Sequence, residues 1–211
     1  MSESIDFYFD FISPYAYIAS TQIETLAARH GRTVAWRPVL LGVTVMRVMG
    51  LRPLMETPVK SDYLRHDAPR MAKIFNVPFR YHALTGINSL AACRAYLWLG
   101  ARDALAAKRF AVRMFERLWV EGRDITPATA VAEEASALGL DAEALSAAAS
   151  SDAGKQALHD AVAGAVARGV FGTPFFIADG EPIWGCDRLW MLDHWLQCKT
   201  WDGAGAKLLA R

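Results

Sequence analysis

The chain opens on a nearly continuous apolar run, Ile5-Asp6-Phe7-Tyr8-Phe9-Asp10-Phe11, which predicts a strand over residues 4–11. At Ser13-Pro14 the pattern switches to helical spacing, giving a helix over 14–30 that ends near Gly31. Thr33-Val34-Ala35-Trp36-Arg37 reads as a second strand, stopped by Pro38. Strand, helix and strand joined by short links predict a parallel pair in an α/β sheet. From Leu41 to Pro58 the pattern is irregular, broken by Gly42, Gly50, Pro53 and Pro58. Helical spacing returns over 61–76, a loop covers 78–88, and further helices are expected over 89–99, 104–119, 127–138, from Asp141, and over 152–168. The last stretch is different again. Phe175-Phe176-Ile177 and Pro182-Ile183-Trp184 flank the hairpin signal Asp179-Gly180, and a helix follows over 188–197. The tail, with Gly203 and Gly205, is expected to be less ordered. A β-α-β unit therefore comes first and a β-β-α unit last. Residues 1–42 and 155–211 are expected to form one discontinuous sheet domain, and 43–154 an inserted helical subdomain.

Composition narrows the possibilities. With 211 residues, 53% hydrophobic and 21% charged, the chain can bury a substantial core. Its net charge is +1 and no basic stretch is interleaved with aromatics, which argues against a nucleic-acid partner. No apolar run is long enough to span a bilayer, and the first residues lack the basic and apolar regions of a signal peptide. A soluble, cytoplasmic protein is expected. Cys93, Cys186 and Cys198 form no C-x-x-C pair and fit no disulfide framework. They are expected to be reduced, with Cys93 and Cys198 packed in helices. The five histidines show no metal-ligand spacing, and there is no P-loop, G-x-G-x-x-G or G-x-S-x-G.

What remains is Ser13-Pro14-Tyr15-Ala16 at the strand-to-helix junction. Serine followed by proline suits the N-cap and first position of a helix. The same placement sets a hydroxyl where backbone N–H groups and the positive helix end converge, which suits a thiolate. The residues alone allow both readings.

The split β-α-β and β-β-α halves around a helical insert resemble the thioredoxin fold of DsbA-like proteins. The fold class is thus read as α/β, thioredoxin-like, of the DsbA and kappa glutathione transferase type, with a large helical insertion. Thr173-Pro174 matches the position of that fold's cis-proline. The first helix opens without a cysteine, so dithiol exchange is excluded there. Five stretches together resemble the 2-hydroxychromene-2-carboxylate isomerase family, relatives of the kappa-class glutathione transferases. They are Phe9-Asp10-Phe11-Ile12-Ser13-Pro14-Tyr15-Ala16-Tyr17, Arg37-Pro38-Val39-Leu40-Leu41-Gly42, Asn88-Ser89-Leu90, Gly172-Thr173-Pro174-Phe175-Phe176 and Trp184-Gly185-Cys186-Asp187-Arg188-Leu189.

That resemblance implies glutathione as cofactor, a small aromatic carboxylate as substrate and a homodimer. It implies interconversion of 2-hydroxychromene-2-carboxylate and trans-o-hydroxybenzylidenepyruvate in aromatic-compound catabolism. It gives Ser13 the catalytic role of hydrogen-bonding the glutathione sulfur. Thr173 and Pro174 would pair with the cysteinyl backbone, and Gly185, Cys186, Asp187 and Arg188 would hold the γ-glutamyl end. Lys60, in Thr57-Pro58-Val59-Lys60, would meet the glycyl carboxylate, and Asn88 would face the substrate. Asp187 and Asn88 each also suit a helix N-cap. Members of the family often carry Phe-Lys and then Gly-Asn after Leu-Leu-Gly. Here the stretch reads Val43-Thr44-Val45-Met46-Arg47-Val48-Met49-Gly50-Leu51-Arg52, so Arg47 and Arg52 are the candidates for the acidic end of the substrate. Two alternatives follow: a kappa-like glutathione transferase or peroxidase acting on another electrophile, and a thioredoxin-fold binding module without catalysis.

Overall fold

The computed structural model describes residues 4–82 and 85–205, apart from the side chain of Met55. Strand β1 (Ile5–Phe9) runs centrally, and every residue of it is buried. It pairs in parallel with β2 (Val34–Pro38) and antiparallel with β3 (Phe175–Ala178), which pairs antiparallel with β4 (Glu181–Trp184). The order is β2-β1-β3-β4. Both faces of β1 are covered, which is why its sequence reads as a continuous rather than an alternating apolar run. Phe7 and Phe9 face one side and meet Trp36, Phe176, Tyr96 and Phe115 in edge-to-face, tilted and stacked contacts. Tyr8 faces the other side with Val39, Ala165, Val170, Phe175 and Ile177.

Between β1 and β2 lie two short helices, α1 (Pro14–Ser20) and α2 (Ile23–Arg29), where the sequence pattern predicted one. The break has a local cause. The Ser20 and Thr21 hydroxyls donate to Tyr17 O at 2.6 Å and Ile18 O at 2.8 Å, competing with the helical ladder. Beyond β2, the irregular stretch contains a π-helical segment, Gly42–Val48, and a 3-10 turn, Leu54–Glu56.

Six helices follow: α3 (Lys60–Ile74), α4 (Leu90–Gly100), α5 (Ala104–Trp119), α6 (Ala128–Ala137), α7 (Ala142–Ser150) and α8 (Asp152–Ala167). Their apolar faces join the core of the sheet, and two polar ties fix the attachment. Trp119 Nε1 donates to Phe11 O at 2.8 Å, and the Tyr96 hydroxyl donates to Trp36 O at 3.1 Å. Buried Arg117 and Glu134 pair at 2.9 Å and tie α5 to α6. After β4 a 3-10 turn (Cys186–Arg188) leads into α9 (Leu189–Cys198). Cys93 and Cys186 are buried free thiols, and Cys93 is packed in α4 as expected. Among the described residues no helix is long and apolar enough to cross a membrane. The expectation for the tail falls largely on residues 206–211, outside the described residues, as do positions 83 and 84 of the 78–88 loop.

Candidate active site

Ser13 is the N-cap of α1, with Pro14 as the first helical residue. Its backbone is extended, and its Oγ accepts from Ala16 N–H at 3.1 Å. The same hydroxyl donates to Thr173 O, 160 residues away, at 3.3 Å. That is longer than the usual O–H···O bond of about 2.5–3.0 Å, so the proton can be redirected to a better acceptor at low cost. The helix start and the loop before β3 are therefore brought together, with Ser13 and Thr173 only 3% and 8% exposed.

The Thr173–Pro174 peptide bond is cis. Thr173 Oγ1 is buried and has no hydrogen-bond partner among the described residues. Such atoms are rare in folded proteins and call for an explanation. Pro174 O accepts from Gly185 N–H at 2.9 Å, which links this loop to the turn after β4. Gly185 has φ +104°, and a Cβ there would lie 2.3 Å from Asp187 Oδ1 and 3.1 Å from Arg188 Nη1. The Asp187 carboxylate thus folds back over the Gly185 Cα, and only glycine leaves it room. Asp187 is not a side-chain cap for the last helix, as its position had suggested. It lies in the 3-10 turn, and α9 starts one residue after Arg188 without a side-chain cap. Its carboxylate is half exposed, and its ion pair among the described residues is with the Arg188 guanidinium, at 3.4 Å. Arg188 also donates to Trp184 O at 2.9 Å.

Cys186 sits beneath this turn, 1% exposed. Burial, reinforced by Asp187 and Asp67, pushes its thiol up to about 12. Asp67 was missed by sequence reasoning. Its carboxylate accepts from the Tyr15 hydroxyl at 2.7 Å and from the Tyr63 hydroxyl at 3.1 Å. Burial and this carboxylate hold the Tyr15 phenol protonated, far above its ordinary range. The available signal was spacing: Lys60, Tyr63 and Asp67 recur on one face of α3. Lys60 opens that helix with an exposed side chain that has no ion pair among the described residues. The residue before it, Val59, has φ +68°, an outlier for a β-branched side chain.

The substrate candidates are less tightly held. Arg47 lies on the π-helical segment and Arg52 just beyond it; both are exposed and make no ion pair among the described residues. Met46, Val48, Met49, Leu51 and Leu54 along the same stretch are exposed too. Asn88 is not the N-cap of α4, which is Ser89 without a side-chain cap bond; it lies one residue earlier in a local turn, its Oδ1 accepting from Leu90 N–H at 3.2 Å, while its own N–H donates to Thr126 Oγ1. A shallow apolar cavity of about 340 Å³ lies behind β4, lined by Ile183, Trp184, Met191 and Trp201 with Arg188 at its edge. Neither Ser13 nor Thr173 lines it, so it is separate from the site around the serine. No cluster of metal-ligating side chains exists among the described residues.

The arrangement can hold an anionic sulfur at the start of α1, an extended peptide-like segment along Thr173, and an ammonium at Asp187. The sequence model of the DSBA-like thioredoxin domain matches residues 4–197. The 2-hydroxychromene-2-carboxylate isomerase of Sphingobium xenophagum is 32% identical over 200 residues, covering 93% of this chain and 99% of that protein. Glutathione S-transferase kappa 1 of Caenorhabditis elegans is 34% identical over 127 residues, 57% of this chain and 56% of its own length. A solved structure of 2-hydroxychromene-2-carboxylate isomerase superposes with a TM-score of 0.84 at 28% identity, covering 98% of this chain and 99% of that one. With fold, coverage and identity in agreement, the chain belongs to the family of the 2-hydroxychromene-2-carboxylate isomerases, built on a DSBA-like thioredoxin domain.

Proposed function

We propose that the protein is a glutathione-dependent isomerase that interconverts 2-hydroxychromene-2-carboxylate and trans-o-hydroxybenzylidenepyruvate in aromatic-compound catabolism. The observation that carries this reading is the Ser13 hydroxyl, set at the start of α1 and bonded only weakly to Thr173 O. The residues fit glutathione on two further counts: Thr173 Oγ1, buried without a partner among the described residues, and the Gly185 cradle, over which the exposed Asp187 carboxylate keeps room for an ammonium beside its 3.4 Å contact with Arg188. When bound, glutathione would supply a thiolate that adds to the conjugated carbon and later leaves, letting the double bond rotate as a single bond.

The chain's own part is binding and electrostatics. Ser13 turns its proton from Thr173 O to the sulfur, and with the helix N-terminus favours thiolate over thiol. Thr173, freed of that bond, offers its carbonyl to the cysteinyl backbone in the manner of an added strand. Gly185, Cys186, Asp187 and Arg188 hold the γ-glutamyl end, and Lys60 the glycyl carboxylate. Arg47 or Arg52 meets the acidic end of the substrate and stabilises charge developing there, with Asn88 at the pocket edge. The reading includes a cytoplasmic homodimer, supported by the free thiols of Cys93 and Cys186 and by exposed Phe171, Trp184 and Trp190. It treats 43–154 as a helical insertion between the two parts of the thioredoxin-like unit, 1–42 and 155–211.

The test is isomerisation of 2-hydroxychromene-2-carboxylate followed by ultraviolet absorbance, with and without glutathione. Turnover should require glutathione; full speed without it overturns the cofactor assignment. The changed 43–52 stretch favours one competing reading, a kappa-like transferase or peroxidase. Glutathione binding by calorimetry with no chromene isomerisation would select it, and no binding at millimolar concentration would select a non-catalytic module.

A further inference from the structure

Asp10 lies just beyond β1, three residues before Ser13, and is 1% exposed. Its Oδ1 accepts from the Ser89 hydroxyl at 2.6 Å and from Ile12 N–H at 3.3 Å, and its Oδ2 accepts from Leu41 N–H at 2.8 Å. Its backbone carbonyl accepts from Ser13 N–H at 3.0 Å. No cation pairs with it among the described residues. Burial pushes the Asp10 carboxyl above the usual carboxylate range, and the Ser89, Leu41 and Ile12 donors pull it back. A buried carboxylate without a counter-ion carries a desolvation cost that an apolar side chain of similar size would avoid. What an apolar residue could not supply is the set of bonds.

Each bond lands at the root of a different part of the site. Ile12 precedes Ser13. Leu41 is the residue before the π-helical segment that carries Arg47. Ser89 opens α4 next to Asn88, and its hydroxyl also serves the buried Cys93 thiol. We propose that Asp10 is a positioning residue: one buried carboxylate fixes the segment bearing Arg47 and the α4 start bearing Asn88 in register with the Ser13 turn. This rests on the isomerase reading of the site. Asp10 touches neither the sulfur position nor the Gly185–Asp187 turn, so its influence falls on the substrate end.

Two variants test it. In Asp10→Asn the amide keeps one acceptor oxygen and presents an N–H₂ group at the other position, so Leu41 or Ile12 loses its acceptor. Ser89→Ala removes one tie and leaves Asp10 in place. Three readouts are taken: hydrogen exchange over residues 41–48, glutathione affinity by calorimetry, and steady-state isomerisation. Asp10→Asn should speed exchange at Leu41 and along 42–48 and raise the KM for 2-hydroxychromene-2-carboxylate about tenfold, the scale expected for a small misplacement of binding groups. Glutathione affinity should stay within about twofold of the parent, well under the tenfold that 1.4 kcal/mol represents. Ser89→Ala should shift KM in the same direction by about threefold, a smaller misplacement of the same kind. If Asp10→Asn does not fold, Ser89→Ala carries the test alone. Equal loss of glutathione and substrate binding without faster local exchange overturns the proposal, as do unchanged exchange and KM. Should the parent protein not isomerise the substrate at all, the isomerase reading fails by itself. The exchange measurement then decides on Asp10, and unchanged protection over 41–48 counts against it.

Discussion

Ser13, Thr173 and Gly185 are buried or clamped through groups drawn from distant parts of the chain, whereas Gly42 to Arg52 exposes apolar side chains and two arginines, Arg47 on the π-helical turn and Arg52 beyond it, that make no ion pair among the described residues. The thiol end of the site is shaped before anything binds; the substrate end has little packing of its own. A cradle built from cap, loop and glycine bonds can change its residues only at a large cost. A surface segment held mainly at its root, through Leu41, can change freely.

Three substitutions put the contrast under strain, in descending order of effect. Ser13→Ala should lower turnover by about 10²-fold, the scale set by removing one preorganised donor. The lost helix cap should also cost on the order of 1 kcal/mol, seen as a lower Tm. A folded Ser13→Ala protein with parental turnover would mean that the serine is only a cap. Gly185→Ala places a Cβ where the Asp187 carboxylate lies, at a positive φ. It should weaken glutathione binding about tenfold, equivalent to about 1.4 kcal/mol, and isothermal titration at parental affinity would show that Asp187 does not depend on that cradle. Arg47→Ala should raise the substrate KM only two- to fivefold, as expected for an exposed charge contact of about 0.2–1 kcal/mol. Glutathione affinity should not change. If Arg52→Ala moves KM instead, the recognising arginine lies outside the π-helical turn.

What could be read from the chain beforehand follows the same division. Ser13-Pro14 announces itself as a capping hydroxyl before a first-turn proline, whereas the cis bond at Thr173-Pro174 and the role of Gly185-Cys186-Asp187 were expected only through the family resemblance, and the positive φ of Gly185 was not anticipated. The strands and long helices were legible from apolar spacing. The π-helical turn was not, because Val43, Thr44, Val45 and Val48 are poor helix formers and follow a glycine. Asp10 and Asp67 escaped for another reason. Their partners are separated from them by 31, 79 and 52 residues, and no local pattern encodes such convergence. The role of Asp187 as a cap was wrong because the chain spends a 3-10 turn before α9 begins.

The silence of Cys186 has its own consequence. An enzyme that works with a borrowed thiol also meets the oxidised form of that thiol, and a cysteine beside the site is exposed to capture as a mixed disulfide. Burial and two neighbouring carboxylates hold the Cys186 thiol well above its ordinary range, so it stays protonated at pH 7, and the sulfur is shut away from solvent. The protein's own sulfur, set against the turn that would hold the cofactor, is kept from competing with it, and the site is protected from inactivation by its own chemistry.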